Sequence, residues 1–288
     1  QDLFFQDSLN DAALAGLGRI LNCSRLHPDV VAVVGLPVRL GCRMSNCAAV
    51  LSGGMVHGLV PKTYIPNYHE FYEKRWFSSG EDLHENQALL QIPGMPAQTV
   101  PVLPKALFAL ADGTAFGVEI CEDLWTPIPP SSILALSGAE VVVNLSASNE
   151  TIGKRAYRRE LVNHQSAAAA WVYAYASAGA GESTQDLIFS GQCLQLLTYS
   201  SDPAVLYKNL KRSSFGVHSI YKQHRSSLLI CVCLVRLSGL RAKKNFSPQR
   251  EKLIPQKKET TNPRQNRMRT AYSVWCTSRF SAWCCLLL

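Results

Sequence analysis

The chain is 288 residues long, with 47% hydrophobic and 17% charged residues and a formal net charge of +8. That charge is unevenly placed: residues 1–193 carry 12 Lys+Arg against 18 Asp+Glu, a net of −6, and residues 194–288 carry 17 against 3, a net of +14. The basic balance belongs to the second stretch and gives no ground for reading the first as a nucleic-acid or membrane-surface binder.

In chain order, Ser8-Leu9-Asn10-Asp11 resembles a capping box, and Leu9, Ala13, Leu17 and Ile20 recur at helical spacing, which predicts a helix to about Leu21. Residues 30–34 are a continuous β-branched run, expected of a strand buried on both faces. Residues 48–51 and 56–60 read as a hairpin turned at Gly53-Gly54 and leading into Pro61-Lys62. Leu51-Ser52-Gly53-Gly54 also invites a phosphate-loop reading, but Met55-Val56-His57 follows, and a strand rather than a helix comes next, so a β-turn is preferred. Further strands are expected at 89–92, 115–120, 141–145, 171–176 and 187–194, and helices at 131–138 and 155–170, the latter with an Arg-rich exposed face. The alternation is an α/β pattern in which helices cover sheets, and about 190 residues suit one domain, residues 1–193.

From Leu194 onward no hydrophobic period persists. Residues 194–288 are expected to be a basic tail without a recognisable domain, disordered and trimmed by proteases. Its apolar run at 228–235 is too short to span a bilayer. Cysteines 23, 42, 47, 121 and 193 form no paired framework, which fits a reducing, cytoplasmic setting. Cys231-Val232-Cys233 and Cys284-Cys285 have no second pair at zinc-like spacing, so no metal is assigned.

The most informative segment is Gly117-Val118-Glu119-Ile120-Cys121-Glu122-Asp123-Leu124-Trp125, a single cysteine at the end of an apolar strand, followed by acids. A thiol there can face solvent while its strand stays buried, and the next backbone N–H can face the oxygen of a carbonyl under attack. Taken alone, Cys121 reads sooner as a small core residue. Two other segments accompany it: Pro61-Lys62-Thr63-Tyr64-Ile65-Pro66-Asn67-Tyr68-His69-Glu70-Phe71-Tyr72-Glu73, and Asn144-Leu145-Ser146-Ala147-Ser148-Asn149-Glu150-Thr151-Ile152-Gly153-Lys154.

Together, in that order, these segments resemble the nitrilase or carbon–nitrogen hydrolase superfamily. With Ala178-Gly179-Ala180-Gly181-Glu182-Ser183-Thr184-Gln185-Asp186 they are similar to the glutaminase domains of glutamine-dependent NAD+ synthetases, over roughly residues 1–193. The resemblance implies an αββα sandwich and hydrolysis of L-glutamine through a cysteine thioester. It implies Cys121 as nucleophile, Lys62 as the cation that depresses the thiol pKa and stabilises the intermediate, and Glu70 as an auxiliary glutamate beside the lysine. Tyr68, Ser148 and Lys154 match glutamine-binding positions, and the backbone N–H of Glu122 matches an oxyanion donor. The family's catalytic glutamate lies in a Phe-Pro-Glu-Leu-like segment before the helix beginning Gln-Asp-Ser-Leu. This chain opens at Gln1-Asp2, past that point, so the base and at least one strand are expected to be missing, with little or no turnover by the chain alone. ATP, Mg and deamido-NAD would bind a synthetase domain that the chain lacks, so no cofactor is assigned here, and complete relatives are expected to be homo-oligomers. A stand-alone nitrilase-type ω-amidase and a non-catalytic relic or partner-binding subunit remain the alternatives.

Overall fold

The spacing of Ala13, Leu17 and Leu21 makes one apolar face, and all three side chains are buried. The computed structural model describes residues 3–169, 172–179, 182, 187–197 and 232–236. Helix α1 spans Asp7–Leu26, longer than its apolar period suggests. Its N-cap is Gln6, which makes no side-chain cap bond, so the expected capping box at Ser8 is not formed. Asp7 instead places a negative charge in the first turn, where the helix dipole favours it.

Three strands follow, β1 Val30–Leu40, β2 Arg43–Ser52 and β3 Met55–Pro61, joined as antiparallel neighbours. Gly53 and Gly54 turn β2 into β3 with φ of 56° and 83°, a conformation that side chains resist. Two short hairpins come next, β4 Asn67–Tyr68 with β5 Phe71–Tyr72, and β6 Gln87–Leu90 with β7 Gln98–Pro101.

The second sheet contains β8 Leu107–Ala109, β9 Ala115–Ile120, β10 Val141–Ser146, β11 Val172–Ser177 and β12 Cys193–Leu197, in the order β12-β11-β10-β9-β8. Its middle three strands run parallel. Helix α2, Pro130–Leu136, and helix α3, Lys154–Ala169, connect them. Gly117 in β9 lets α2 approach: a Cβ there would lie 2.6 Å from a Leu134 methyl carbon.

Burial divides these residues into layers. Val31, Val33, Ala48, Val50 and Val60 from the first sheet meet Phe116, Val118, Val141, Val143 and Ala174 from the second in one core. On the far side of the first sheet, Leu17 and Leu21 of α1 pack with Ala32, Val34 and Leu51. Beyond the second sheet, Leu134 of α2 and Val162 of α3 pack with Val142, Tyr173 and Tyr175. The result is the expected αββα sandwich, in which each fully buried Leu or Val contributes roughly 1.5–3 kcal/mol relative to exposure.

Two local expectations change. The strand predicted over 187–194 begins only at Cys193, because the preceding residues are tied elsewhere: Glu150 N–H donates to Ile188 O and Gly191 N–H to Ala178 O. The Arg-rich face of α3 is not wholly exposed either. Arg155 and Arg159 face solvent, but Arg158 is fully buried and donates to Glu150, Gln192 and the Asn149 carbonyl. In the basic stretch, β13 Val232–Arg236 pairs antiparallel with β1. The rest of residues 198–288 lies outside the described residues, as do most of residues 180–186. Among the described residues no helix is long and apolar enough to cross a membrane.

Candidate active site

Strands β9 and β10 run parallel, so the turns that leave them lie on one edge of the sheet, where open α/β sheets place ligands. β9 ends at Ile120, and Cys121 takes a φ of 49°, left-handed backbone that a non-glycine residue seldom adopts. A short 3₁₀ helix, Cys121–Trp125, follows. Two side chains hold the turn in place. Asp123 accepts the Ile120 N–H at 2.9 Å, and the Asn144 amide oxygen on β10 accepts the Cys121 N–H at 3.3 Å.

Lys62 comes from the other sheet, one residue past β3, and is 1% exposed. Its N–H donates to Asn46 O and its carbonyl accepts the Gly80 N–H, both at 2.8 Å. The Asp123 carboxylate also accepts from Tyr64 N–H at 2.8 Å and Thr63 N–H at 3.5 Å, so one buried side chain joins the Lys62 segment to the Cys121 turn. Burial and the neighbouring Glu119 charge push the Asp123 carboxyl up to about 7, against the opposing effect of these donors.

The carboxylate on Lys62 is Glu73, whose Oε2 lies 2.7 Å from Nζ. The expectation that Glu70 would stand beside the lysine is corrected here. β4 and β5 pair Tyr68 with Phe71, which leaves His69 and Glu70 at the hairpin tip, and Glu73 N–H returns to Pro66 O at the base. Glu70 accepts from Asn149 Nδ2 instead, and the Asn149 oxygen accepts from Lys154 Nζ. Burial alone would lower the Lys62 pKa, but the charges of Glu73 and Cys121 outweigh it and hold the ammonium above its ordinary value.

The thiol also departs from expectation. Burial raises the Cys121 pKa, and the lowering by Lys62 and by hydrogen bonds from Ser146 and the Ala147 backbone does not overcome it. Lys62 acts in the predicted direction, but it is neutralised by Glu73, which itself raises the thiol.

Around this centre lie the other residues singled out in the sequence. Tyr68 is 48% exposed and its hydroxyl donates to Glu122 Oε1 at 2.7 Å. Lys154 sits over the Trp125 ring at 5.5 Å and the Phe71 ring at 5.9 Å. Ser148 is 3% exposed on the segment leaving β10. Cys121, Lys62, Tyr68, Glu70, Glu122 and Lys154 therefore share one neighbourhood, as the mutual charge effects on Tyr68 and Lys154 reflect. Sequence reasoning passed over Glu73, Asp123, Asn144 and Asn149, although all four lie inside the segments that drew attention to the site. Among the described residues no cluster of His, Cys, Asp and Glu could hold a metal ion.

Comparison with known proteins agrees with this fold. The chain is 43% identical over 197 residues to the glutamine-dependent NAD(+) synthetase of Mycobacterium tuberculosis, and 41% identical over the same length to that of Mycobacterium leprae. In both cases the match covers 67% of this chain and 28% of the relative, so the chain spans under a third of their length. The crystal structure of a glutamine-dependent NAD(+) synthetase from Cytophaga hutchinsonii superposes with a TM-score of 0.54 at 27% identity, covering 68% of this chain and 30% of that one. Residues 19–197 match the family described as carbon-nitrogen hydrolase. With more than half of its length inside that match, and with a thiol, a buried lysine and a glutamate assembled at the edge of an αββα sandwich, the chain belongs to the carbon–nitrogen hydrolase family.

Proposed function

We propose that this chain is the glutamine-hydrolysing part of a glutamine-dependent NAD+ synthetase, releasing ammonia for an ATP-dependent amidation of deamido-NAD+ carried out by a separate synthetase domain. The observation that carries the reading is Cys121, in left-handed backbone, close enough to the buried Lys62–Glu73 pair for their charges to act on one another. Named relatives with 41–43% identity support the choice of glutamine.

In this scheme the Cys121 thiolate attacks the side-chain carboxamide carbon of L-glutamine and a C–S bond forms. The charge that develops on oxygen lies near the Lys62 ammonium and the Glu122 N–H, which stands in the first turn of the 3₁₀ helix, where N–H groups lack partners within the helix. The C–N bond then breaks, the departing nitrogen takes up the proton that the thiol gave up and leaves as ammonia, and water cleaves the thioester to give glutamate and the free thiol. The amino-acid end of glutamine carries a carboxylate and an ammonium. Lys154 supplies a cation for the first, Glu122 and Glu70 supply anions for the second, and Tyr68 and Ser148 add hydroxyls. That pairing favours an amino-acid amide over a simple ω-amide.

The carboxylates named around the thiol are already engaged: Glu73 with Lys62, Glu122 with Tyr68, Glu70 with Asn149, and Asp123 with three backbone N–H groups. With these carboxylates committed elsewhere, turnover by residues 1–288 alone is expected to be slow, the usual cost of a lacking acid–base group being about 10²–10⁴ in rate. A free thiol of this kind suits a reducing, cytoplasmic setting. The test is intact-mass analysis after exposure to a diazoketone analogue of glutamine, which needs one bond-forming step and no turnover. A single adduct at Cys121, blocked by L-glutamine, is expected. Adducts spread over Cys42, Cys47 and Cys193, or no protection by glutamine, would refute the assignment.

A further inference from the structure

Behind the nucleophile lies a buried polar chain that the proposed chemistry does not use. Glu119 on β9 is 1% exposed and Asn144 on β10 is fully buried. Three donors converge on the Glu119 carboxylate: Ser131 N–H at 2.8 Å, Asn144 Nδ2 at 3.3 Å, and the Tyr173 hydroxyl. Asn144 Nδ2 also donates to that hydroxyl at 3.0 Å, while its Oδ1 accepts the Cys121 N–H at 3.3 Å.

We propose that Glu119, acting through Asn144, is a positioning residue that sets the direction of the Cys121 thiol. The inference rests on the reading of Cys121 as the nucleophile.

The argument is one of hydrogen-bond polarity. Burial raises the Glu119 carboxyl above its ordinary range against the donors that converge on it. Both of its oxygens nevertheless accept, Oε1 from Asn144 Nδ2 and the Tyr173 hydroxyl and Oε2 from Ser131 N–H. The Asn144 amide therefore presents its NH₂ to Glu119, and its oxygen faces Cys121. There it accepts a backbone N–H belonging to a residue held at a φ of 49°. Left-handed backbone at a non-glycine residue persists only where its surroundings over-determine it. With its own N–H bound inward, Cys121 leaves the next N–H, that of Glu122, as the one at the turn available to a substrate oxygen. Replacing Glu119 by Gln preserves volume but puts an NH₂ either against Ser131 N–H or against Asn144 Nδ2. In the second case the Asn144 amide must rotate and aim NH₂ at the Cys121 N–H, and the elbow loses its tether. No apolar packing requirement demands this sequence of acceptor, donor, acceptor.

The experiment follows two quantities in the full chain: the limiting rate of Cys121 alkylation by iodoacetamide at high pH, and amide hydrogen exchange at Cys121. In Glu119→Gln the alkylation rate should fall about ten- to a hundredfold, the loss typical of a reacting atom displaced by a fraction of an ångström to an ångström, and the Cys121 amide should exchange faster. Asn144→Asp, which sets two carboxylates against each other, should behave alike. Combining Glu119→Gln with Asn144→Asp restores the polarity, since the introduced amide can donate to the introduced carboxylate while that carboxylate still accepts the Cys121 N–H, and the double variant should recover both quantities. Leu21→Ala, in the α1 layer, provides a variant of reduced stability that should change neither. Parent-like values in Glu119→Gln, or a double variant no better than the worse single one, would overturn the proposal. A parent chain whose Cys121 alkylates no faster than Cys42 would sink the nucleophile reading instead, and amide exchange at Cys121 would still decide whether Glu119 tethers the turn.

Discussion

Two regions of the site contrast in how they hold charge. At its floor, Lys62, Glu119 and Asp123 are each 1% exposed, and every one of them is bound to groups from a different segment of chain. At its rim, Tyr68 is 48% exposed, Glu70 and Asn67 face solvent, and the contacts, Tyr68 to Glu122 and Asn149 to Glu70, each involve a side chain that water reaches. In the floor a charge is costly to bury, so its partners are obligatory and its pKa moves; at the rim water screens the same charges and single contacts matter less. The difference teaches that reactivity and substrate preference are separable here. In the proposed scheme the floor sets whether the thiol reacts, and the rim sets with what.

The hardest test of that division is Cys121→Ala, which should abolish adduct formation with the glutamine analogue while leaving the fold intact; an adduct of undiminished yield would place the chemistry elsewhere. Next is the pair of glutamates. Glu73→Gln should slow adduct formation by about 10²-fold, because Lys62 loses the charge that keeps it protonated beside the developing oxyanion. Glu70→Gln, at the rim, should change it by less than about fivefold. Equal losses in the two variants would erase the distinction between floor and rim.

Asp123→Asn probes the floor through stability. One of its two oxygens becomes a donor facing backbone N–H groups, so chemical denaturation at pH 5, below the range of the folded carboxyl, should report a loss of about 1–3 kcal/mol. The pH dependence has a definite sign. The folded carboxyl sits at about 7 against 3.8 for the free group, so Asp123 contributes stability that is complete below about pH 4 and disappears as pH rises through about 7. The stability difference between parent and variant should therefore shrink across that window. A difference that grows instead would show the carboxylate to be favoured by its three donors after all.

The smallest effect is expected at Tyr68→Phe, which removes one half-exposed hydroxyl from Glu122. Glutamine protection of Cys121 should weaken severalfold, with the rate of alkylation by iodoacetamide unchanged. A change in the alkylation rate would make Tyr68 part of the floor.

Much of the framework was legible in the sequence, for reasons that differ along the chain. The strand at 115–120 and the helix at 131–138 stand out because period and composition agree, and Cys121 was flagged by its place at a strand end. Glu73 was missed because the sequence gives only linear spacing. The β4–β5 hairpin folds back between Tyr68 and Phe71, sending Glu70 outward to Asn149 and Glu73 inward to Lys62. Glu119 and Asn144 were hidden by their context, single polar residues in runs that read as apolar strands. Their role becomes visible only when parallel pairing sets Asn144 opposite Glu119. The direction of the thiol's pKa was missed because a lysine nearby was counted without the burial of the thiol itself and without the lysine's counter-ion, Glu73.

The backbone at Cys121 carries one more implication, for anyone engineering this protein. Left-handed backbone costs a side chain of order 1–3 kcal/mol, and glycine escapes that penalty. A library of variants sorted for thermal tolerance alone would therefore tend to enrich Cys121→Gly, and each round of such sorting would favour a sturdier, chemically silent molecule. Any selection scheme for this domain has to reward covalent capture in the same step as survival, or it will remove the very atom it set out to preserve.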